Sequence, residues 1–317
     1  MINDFFSFLQ KSAEKRQNLQ KFTNALRLVN GGADGFPGFT LDQYGTHFQV
    51  QFFSENLLAQ ENQICEEIQR LFSPEYLVVK YRLSPSGKDL EHPEFRVVCG
   101  LNPETIVQEG NCLFQVNLED TVNPGLFLDM REIREDIERR SSGAKVLNLF
   151  SYTCSFGVHA RVGGASMAVN VDISGKILEK GRENYKLNGL ECLPGEFFKG
   201  NAFEYLAWAK KREKKFDVVV LDPPSFARFK GFSFNVRQDL DSLVKSSASI
   251  LSPGGLLMVS SNYSGFRLDS FSEKILQDVQ ETASCAKVLW KRSQASDFVG
   301  SGQSKDSSLC ATLVQVG

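Results

Sequence analysis

The chain is poor in histidine, with only His47, His92 and His159, which stand too far apart in sequence to suggest a metal cage. Its seven cysteines, at 65, 99, 112, 154, 192, 285 and 310, include no C-x-x-C pair. An odd, scattered set argues against both a disulfide framework and a zinc site, so no metal is expected. Most of these cysteines are expected as small buried hydrophobes. No apolar run approaches the ~20 residues that a membrane-spanning helix needs. The N-terminal MINDFFSFLQKSAEKRQNLQKF is too charged for a secretory leader and reads as an amphipathic helix. These absences point to a cytoplasmic protein with no membrane partner; separately, a monomer or homodimer is expected.

Neither sign of charge dominates. At a formal net charge of −2, a nucleic-acid partner must be held by local patches and not by a global field. One candidate patch is Lys210, Lys211, Arg212, Lys214 and Lys215; the competing reading is a solvated helix end whose cations complement the macrodipole. A second is Lys11, Lys15, Arg16, Lys21 and Arg27 on the first helix, which could equally be a wet face.

What is present is an ordinary soluble composition, 42% hydrophobic and 23% charged. The 317 residues allow two domains at roughly 150 residues each. Residues 3–27 show helical spacing, so 1–28 is expected as an N-terminal helix. NGGADGFPG (30–38) is a turn-rich break. Its glycines could cradle a phosphate, but no helix N-terminus follows to supply oriented amides, and the plain loop is favoured. FTLDQY and THFQVQFF read as strands around a Tyr44-Gly45 turn. A helix over about 55–72 gathers Leu57, Leu58, Ile64, Cys65, Ile68, Leu71 and Phe72 on one face. The runs YLVVKYRL, FRVVCG, ETIVQ and CLFQVNL complete a small α+β domain over 29–122, a candidate for substrate or RNA binding.

Over 123–317 the texture becomes strict alternation. The expected strands are KVLNLF (145–150), MAVNVD (167–172), EFFKG (196–200), FDVVVLD (216–222), LLMVSS (256–261), AKVLWKRS and LCATLVQV. Helices are expected near 130–140, 156–163, 174–188, 203–213, 236–251 and 269–284. Short apolar strands separated by amphipathic helices mean a parallel, doubly wound α/β sheet covered on both faces. The last two of its seven strands have no helix between them and can pair antiparallel at the sheet edge.

In such sheets the ligand lies outside the carboxyl ends of the strands, at the switch point. The first strand ends at Asn148 and runs into Phe150, Ser151, Tyr152 and Thr153. The second ends at Asp172, 24 residues after Asn148. A carboxylate there can accept from both ribose hydroxyls of an adenosine-type ligand, which would suit NAD equally. The G-x-G-x-x-G that grips a pyrophosphate is missing, however, since 150–157 holds only Gly157. Adenosine recognition without a phosphate grip points to S-adenosyl-L-methionine.

Asp222-Pro223-Pro224-Ser225-Phe226 closes the fourth strand. Two prolines remove two donors and fix φ, so the carbonyls of this turn point to set places. Asp222 and those carbonyls can hold the N–H edge of a nucleobase, and Phe226 can stack on it. The competing reading is a Pro-terminated strand with a core Phe. Phe226, Phe229, Phe232 and Phe234 then interleave with Arg228, Lys230 and Arg237, either to contact an unstacked nucleic-acid strand or to form an apolar lid.

With these motifs in view, the chain resembles the bacterial ribosomal RNA large-subunit methyltransferases, the group containing methyltransferase I and the bifunctional K/L enzyme. NGGADGFPGFTLDQYG, GLFLDMREIR (125–134), NLFSYT-x-x-F and DPP-x-F carry the likeness, which runs from about Arg27 to the C-terminus. The resemblance implies a Rossmann-like methyltransferase sheet, with S-adenosyl-L-methionine beside Phe127, Asp129 and Arg131, the 148–153 loop, Asp172, Ile173, Asn201, Ala202 and Asp222. It implies Asp222, Pro223, Pro224, Phe226 and Asn262 as the catalytic set, and large-subunit (23S) ribosomal RNA as partner. Asn201 stands where an Asp often contacts the adenine amino group, and its amide oxygen can accept the same bond. The PUA domain of methyltransferase I is not expected in the 26 residues before Arg27.

The branch decides the mechanism. Cytosine carbon-5 methylation needs a cysteine nucleophile, which in the methyltransferase I branch follows the fifth strand. Here that stretch is Ser260-Ser261-Asn262-Tyr263-Ser264. VSSNYSGFRLD (259–269) and FNVRQDLDSL (234–243) resemble the K half of the K/L enzyme, a guanine-N7 methyltransferase. N7 carries a free lone pair, so direct attack on the sulfonium methyl needs alignment and no general base. The alternatives are the cysteine-dependent cytosine reaction and methylation of tRNA, protein or a small molecule. On fold alone, an NAD-dependent oxidoreductase or a non-catalytic RNA-binding module is also open.

Overall fold

The computed structural model describes residues 5–83, 94–121, 123–229, 232–283, 285–298 and 309–317. The chain divides into two compact units: Met1–Asp129 with Ala295–Gly300, and Met130–Gln294 with Ser301–Gly317.

In the first unit, helix α1 (Phe5–Glu14) buries Phe5, Leu9 and Ser12, one helical face at spacings of four and three. The expected helix over 3–27 stops there. Residues Ala25–Asn30 are instead strand β1, held antiparallel against β2 (Phe39–Tyr44). Local spacing is overridden by pairing: Arg27 reaches across to Asp42 with two hydrogen bonds of 2.7 and 2.9 Å. The rest of the unit is β3 (His47–Phe52), α2 (Glu61–Phe72), β4 (Tyr76–Tyr81) and β5 (Phe95–Cys99), in a sheet ordered β1-β2-β3-β4-β5. A separate hairpin follows, β6 (Glu104–Glu109) with β7 (Cys112–Asn117). Leu26, Phe39, Leu41, Val50 and Phe52 pack with Ile64 and Ile68 of α2 to form the core.

The break at 30–38 is a loop with a structural task. Gly31 and Gly35 take positive φ around a 3-10 turn, and Asp34 at its end accepts from the Asn30 amide at 2.7 Å. Asp34 also receives Arg16 at 2.6 Å, and Arg16 is 2% exposed. The expected basic face on the first helix therefore does not exist as such. Arg16 and Arg27 are internal struts, each paired with an aspartate.

The second unit holds α3 (Arg131–Arg139), β8 (Lys145–Leu149), α4 (Ser155–Val162), β9 (Met167–Asp172), α5 (Gly175–Leu187) and β10 (Phe197–Lys199). It continues with α6 (Ala202–Lys211), β11 (Phe216–Leu221), β12 (Phe226–Phe229), β13 (Phe232–Asn235), α7 (Val236–Ala248) and β14 (Leu251–Ser261). Helix α8 (Leu268–Gln280), β15 (Ala286–Arg292) and β16 (Cys310–Val316) complete it. The sheet order is β10-β9-β8-β11-β14-β16-β15. Its strands are parallel except β16, which is antiparallel to both neighbours. The last strand of the chain thus lies inside the sheet, and β15 forms the edge.

Alternate strand residues face opposite layers. Leu147, Leu149, Val169, Val171, Val219 and Leu221 pack against Leu206 of α6, Leu243 and Val244 of α7 and Ile275 of α8. Val146, Ala168, Val218 and Val220 pack against Ile133 and Ile137 of α3 and Phe156 and Ala160 of α4. Each such buried aliphatic side chain contributes about 1.5–3 kcal/mol relative to exposure. The chain runs outward in one direction from β8 through β9 to β10, then returns to β11 and proceeds the other way. The switch point therefore falls between β8 and β11, where their carboxyl ends open a crevice. Among the described residues, no helix is long and apolar enough to cross a membrane.

Candidate active site

Three strand ends converge on that crevice. After β8 the loop 150–154 places Phe150, Tyr152 and Cys154 at φ of 57°, 48° and 63°. Left-handed backbone at a non-glycine residue costs on the order of 1–2 kcal/mol. It persists here because the loop is tied down at every step. Ser151 N–H donates to the Val171 carbonyl at 3.0 Å, Tyr152 N–H to Asp172 Oδ2 at 3.0 Å, and Cys154 N–H to the Ser151 carbonyl at 2.8 Å. Asn184 of α5 donates to the Thr153 carbonyl at 3.0 Å. The amides of 151, 152 and 154 are thus consumed internally, so this loop is no phosphate cradle. Ser151 and Thr153 are buried.

Asp172 accepts the Tyr152 amide on Oδ2 and the Ser174 amide on Oδ1 at 2.9 Å, and the Ile173 amide also supports its charge. A carboxylate has about four acceptor sites, and its two neighbouring oxygens have the geometry of a ribose diol's partner. Burial raises the Asp172 pKa above the usual aspartate value, partly offset by these backbone bonds. Beside it, Ile173 is 42% exposed, an apolar surface fit for a flat ring. Asn201 caps α6, its Oδ1 accepting the Phe203 amide at 2.9 Å, which leaves that oxygen one lone pair for an adenine amino group. Ala202 follows, buried at the first turn. The donor set fits an adenosine without phosphates.

The remaining expected cofactor residues lie as follows. Asn148 is 1% exposed, and its amide donates sideways to Asn170 Oδ1 at 2.9 Å. Phe150 packs its ring against Phe234 at 5.8 Å. Arg131 is buried at the start of α3. Phe127 and Asp129 fall in the first unit, where the Asp129 carbonyl accepts from Ala295 N–H at 2.9 Å. Gly157 owes its place to packing: a Cβ there would come within 2.2 Å of Asn170 Oδ1.

After β11, Asp222 is half-buried and Pro223 buried, with Pro224 exposed. Asp222 Oδ1 accepts from Ser260 Oγ at 2.6 Å, and Ser225 Oγ donates to Asn262 Oδ1 at 2.8 Å. Both bonds cross between the ends of β11 and β14, so the Asp-Pro-Pro-Ser turn and the Ser260–Asn262 segment are fastened together. Sequence reasoning marks Asp222 and Asn262 and misses Ser260, whose spacing from Asp222 gives no local signal. Phe226 is 53% exposed, with the Arg228 guanidinium 5.5 Å from its ring centre.

The segment 226–237, expected as a loop, is a hairpin. Phe226 pairs with Asn235 and Arg228 with Ser233. Phe234 is fully buried, a core residue and no stacking face. Lys230 and the side chains of Phe229 and Phe232 lie outside the described residues, as does His92. Arg237 sits over Tyr263 at 5.9 Å.

No thiol is poised at this crevice among the described residues. Cys154 is fully buried, and burial pushes its thiol well above the ordinary value. Cys310 is a neighbour the sequence does not reveal, since β16 places it opposite Ser261. It too is buried, in the core, with its pKa raised.

Residues 74–290 match the family model of S-adenosylmethionine-dependent methyltransferases. Ribosomal RNA large subunit methyltransferase I of Aeromonas salmonicida is 31% identical over 304 residues, covering 93% of this chain and 76% of its own length. Ribosomal RNA large subunit methyltransferase K/L of Acinetobacter baylyi is 32% identical over 308 residues, covering 92% of this chain and 41% of its own length. The crystal structure of SMU.776 complexed with SAH superposes with a TM-score of 0.89 at 26% identity, over 99% of this chain and 82% of that one. These likenesses span the whole of the crevice described above, and the chain belongs to the S-adenosylmethionine-dependent methyltransferase family.

Proposed function

We propose that this enzyme methylates large-subunit ribosomal RNA at guanine N7, by direct transfer with no covalent enzyme–base intermediate. The RNA substrate is supported by relatives named for large-subunit ribosomal RNA methylation. The observation that carries the chemistry is the state of the two cysteines nearest the site. Both are buried, and burial raises their pKa values and so disfavours the thiolate that a nucleophile needs.

When bound, S-adenosylmethionine supplies the activated methyl group. The chain's own residues have the task of holding a base in line. Asp222 is an acceptor when ionised, and Asn262 spends its oxygen on Ser225, leaving its N–H groups to donate. Guanine offers the complementary pair, O6 as acceptor beside N1–H as donor. The exposed face of Phe226 is available for stacking. N7 needs no proton removed, which agrees with a crevice whose described residues include no histidine.

Unmodified large-subunit rRNA incubated with the enzyme and cofactor, then digested to nucleosides for mass spectrometry, tests this. The expected product is 7-methylguanosine. Appearance of 5-methylcytidine with a trapped RNA adduct, or methyl label in tRNA or protein and none in rRNA, would overturn it.

A further inference from the structure

The outer surface of α6 carries an exposed tryptophan and a basic run that the crevice does not use. Phe198 on β10 is 39% exposed and Trp208 on α6 is 44% exposed. Tyr205 lies between them, 5.0 Å from Phe198 and 5.3 Å from Trp208 by ring centres. Tyr205 itself is 5% exposed and meets the two rings at 65° and 46°, so it packs beneath them and holds two exposed aromatic faces in place. Beyond Trp208 come Lys210, Lys211, Arg212, Lys214 and Lys215, all exposed. Over 201–215 the only acids are Glu204 and Glu213.

This surface has a direction. Strand β10 runs parallel to β9 with Lys199 opposite Asp172, so Phe198 and Lys199 lie at the cofactor edge of the sheet. Helix α6 must then run back, since β10 and β11 are parallel strands of one sheet. Its ten residues cover about 15 Å. The rings therefore start beside the crevice, and the cations lie toward the far end.

Helix-dipole complementation accounts for only part of this surface. It covers Lys210 and Lys211 in the last turn and Arg212 at the C-cap, and leaves Lys214 and Lys215 beyond it. Nor does it explain an exposed tryptophan. Aromatic faces next to a cationic run match single-stranded nucleic acid, which offers bases to stack and phosphates to neutralise.

We propose that the exposed rings of Phe198 and Trp208, braced by Tyr205, and the 210–215 cations form a track for a single-stranded segment of the substrate RNA outside the target nucleotide. This rests on the reading that the substrate is RNA. The probes are a fluorescein-labelled oligouridylate of roughly 16 nucleotides, the upper range of a single-strand site, and unmodified large-subunit rRNA.

Two variants of the full chain serve: Trp208→Ala, and the combination Lys210→Ala, Lys211→Ala, Arg212→Ala and Lys214→Ala. Lys215 is left in place because it bonds the Ser249 carbonyl. Each variant is expected to weaken oligouridylate binding at least about ten-fold at low salt, the first by removing a stacking face and the second by removing phosphate partners. In the charge variant the slope of log affinity against log salt should fall by about 0.7 for each phosphate no longer neutralised. In rRNA methylation KM should rise with kcat unchanged. Unaltered binding, salt slope and KM would overturn the track. So would loss of an acidic protein partner with RNA affinity intact, which would assign the face to protein. If the unmodified enzyme binds neither probe, it is the RNA reading itself that fails.

Discussion

Ser260 Oγ donates to Asp222 Oδ1 across 2.6 Å, from a serine with no exposed surface to the carboxylate at the centre of the crevice. A hydrogen bond to a charged group is worth about 1.5–3 kcal/mol. If Asp222 acts in the transition state only when so oriented, Ser260→Ala should lower kcat/KM roughly 10–100-fold. Asp222→Ala should cost more. Single-turnover methyl transfer to rRNA measures both, and a Ser260→Ala enzyme of undiminished rate would show that the bond is structural only.

Cysteine-free chemistry makes a sharp prediction. Cys154→Ala and Cys310→Ala should each retain methyl transfer within a few-fold, because neither thiol is exposed or readily ionised. Loss of transfer in either variant, with its cofactor affinity and melting temperature unchanged, would return the cytosine reaction to the front.

The Asp172 carboxyl titrates above the ordinary aspartate value of 3.8, chiefly through burial. The ionised form accepts from ribose hydroxyls, and the protonated form loses part of that capacity. Cofactor affinity should therefore be full at neutral pH and begin to fall, on acidification, at a pH above 3.8. Folding responds in the opposite sense. A carboxyl whose pKa is raised by folding contributes stability below its unfolded value and loses it as pH rises through the folded value. Calorimetric titration of S-adenosylhomocysteine across the acid range checks the first effect. A flat profile would show that Asp172 does not hold the ribose.

Gly181 of α5 lies so close to the cofactor loop that a Cβ would fall 2.3 Å from Cys154 Sγ and 3.0 Å from its Cβ. Overpacking of this kind costs about 1–3 kcal/mol. Gly181→Ala should lower the melting temperature and weaken cofactor binding. Cys154→Gly removes both clashing atoms and suits the left-handed backbone at 154. The double variant should recover most of the loss, and simple additivity of the two changes would contradict the contact.

In the first unit, Arg16 and Asp34 form an ion pair with side chains 2% and 0% exposed. Breaking a buried pair leaves an uncompensated charge, at about 3–5 kcal/mol. Asp34→Ala should accelerate amide hydrogen exchange throughout β1 to β5. Unchanged protection would mean that Arg16 is satisfied by the Ser12 and Asp297 carbonyls alone.

The alternation of strands and helices from Lys145 onward is legible because each element declares itself within a few residues. Val146 to Leu149 and Val218 to Leu221 are nearly unbroken apolar runs, and a strand covered on both faces has no polar side to show. Asp172 and Asp222 can be read as site residues for the same reason: each sits where such a run ends. The helical reading over 3–27 fails where a local pattern meets a long-range partner. Ala25 to Asn30 has its fate decided by β2, whose paired residues lie up to 19 positions on, as Ala25 and Tyr44 do. The hairpin at 226–235 reads as a loop because its short, aromatic strands alternate too briefly to register.

The sequence by itself determined the class of sheet, the cofactor type and the Asp-Pro-Pro-Ser-Phe turn, since periodicity, missing glycines and paired prolines act through neighbouring residues. Only the tertiary structure decided that β16 enters between β14 and β15, bringing Cys310 opposite Ser261. It also decided that Ser260 holds Asp222 and Ser225 holds Asn262, and that the basic residues Arg16 and Arg27 are internal struts. Those relationships join residues 15 to 49 positions apart, and sheet register or packing between elements sets them, not local periodicity.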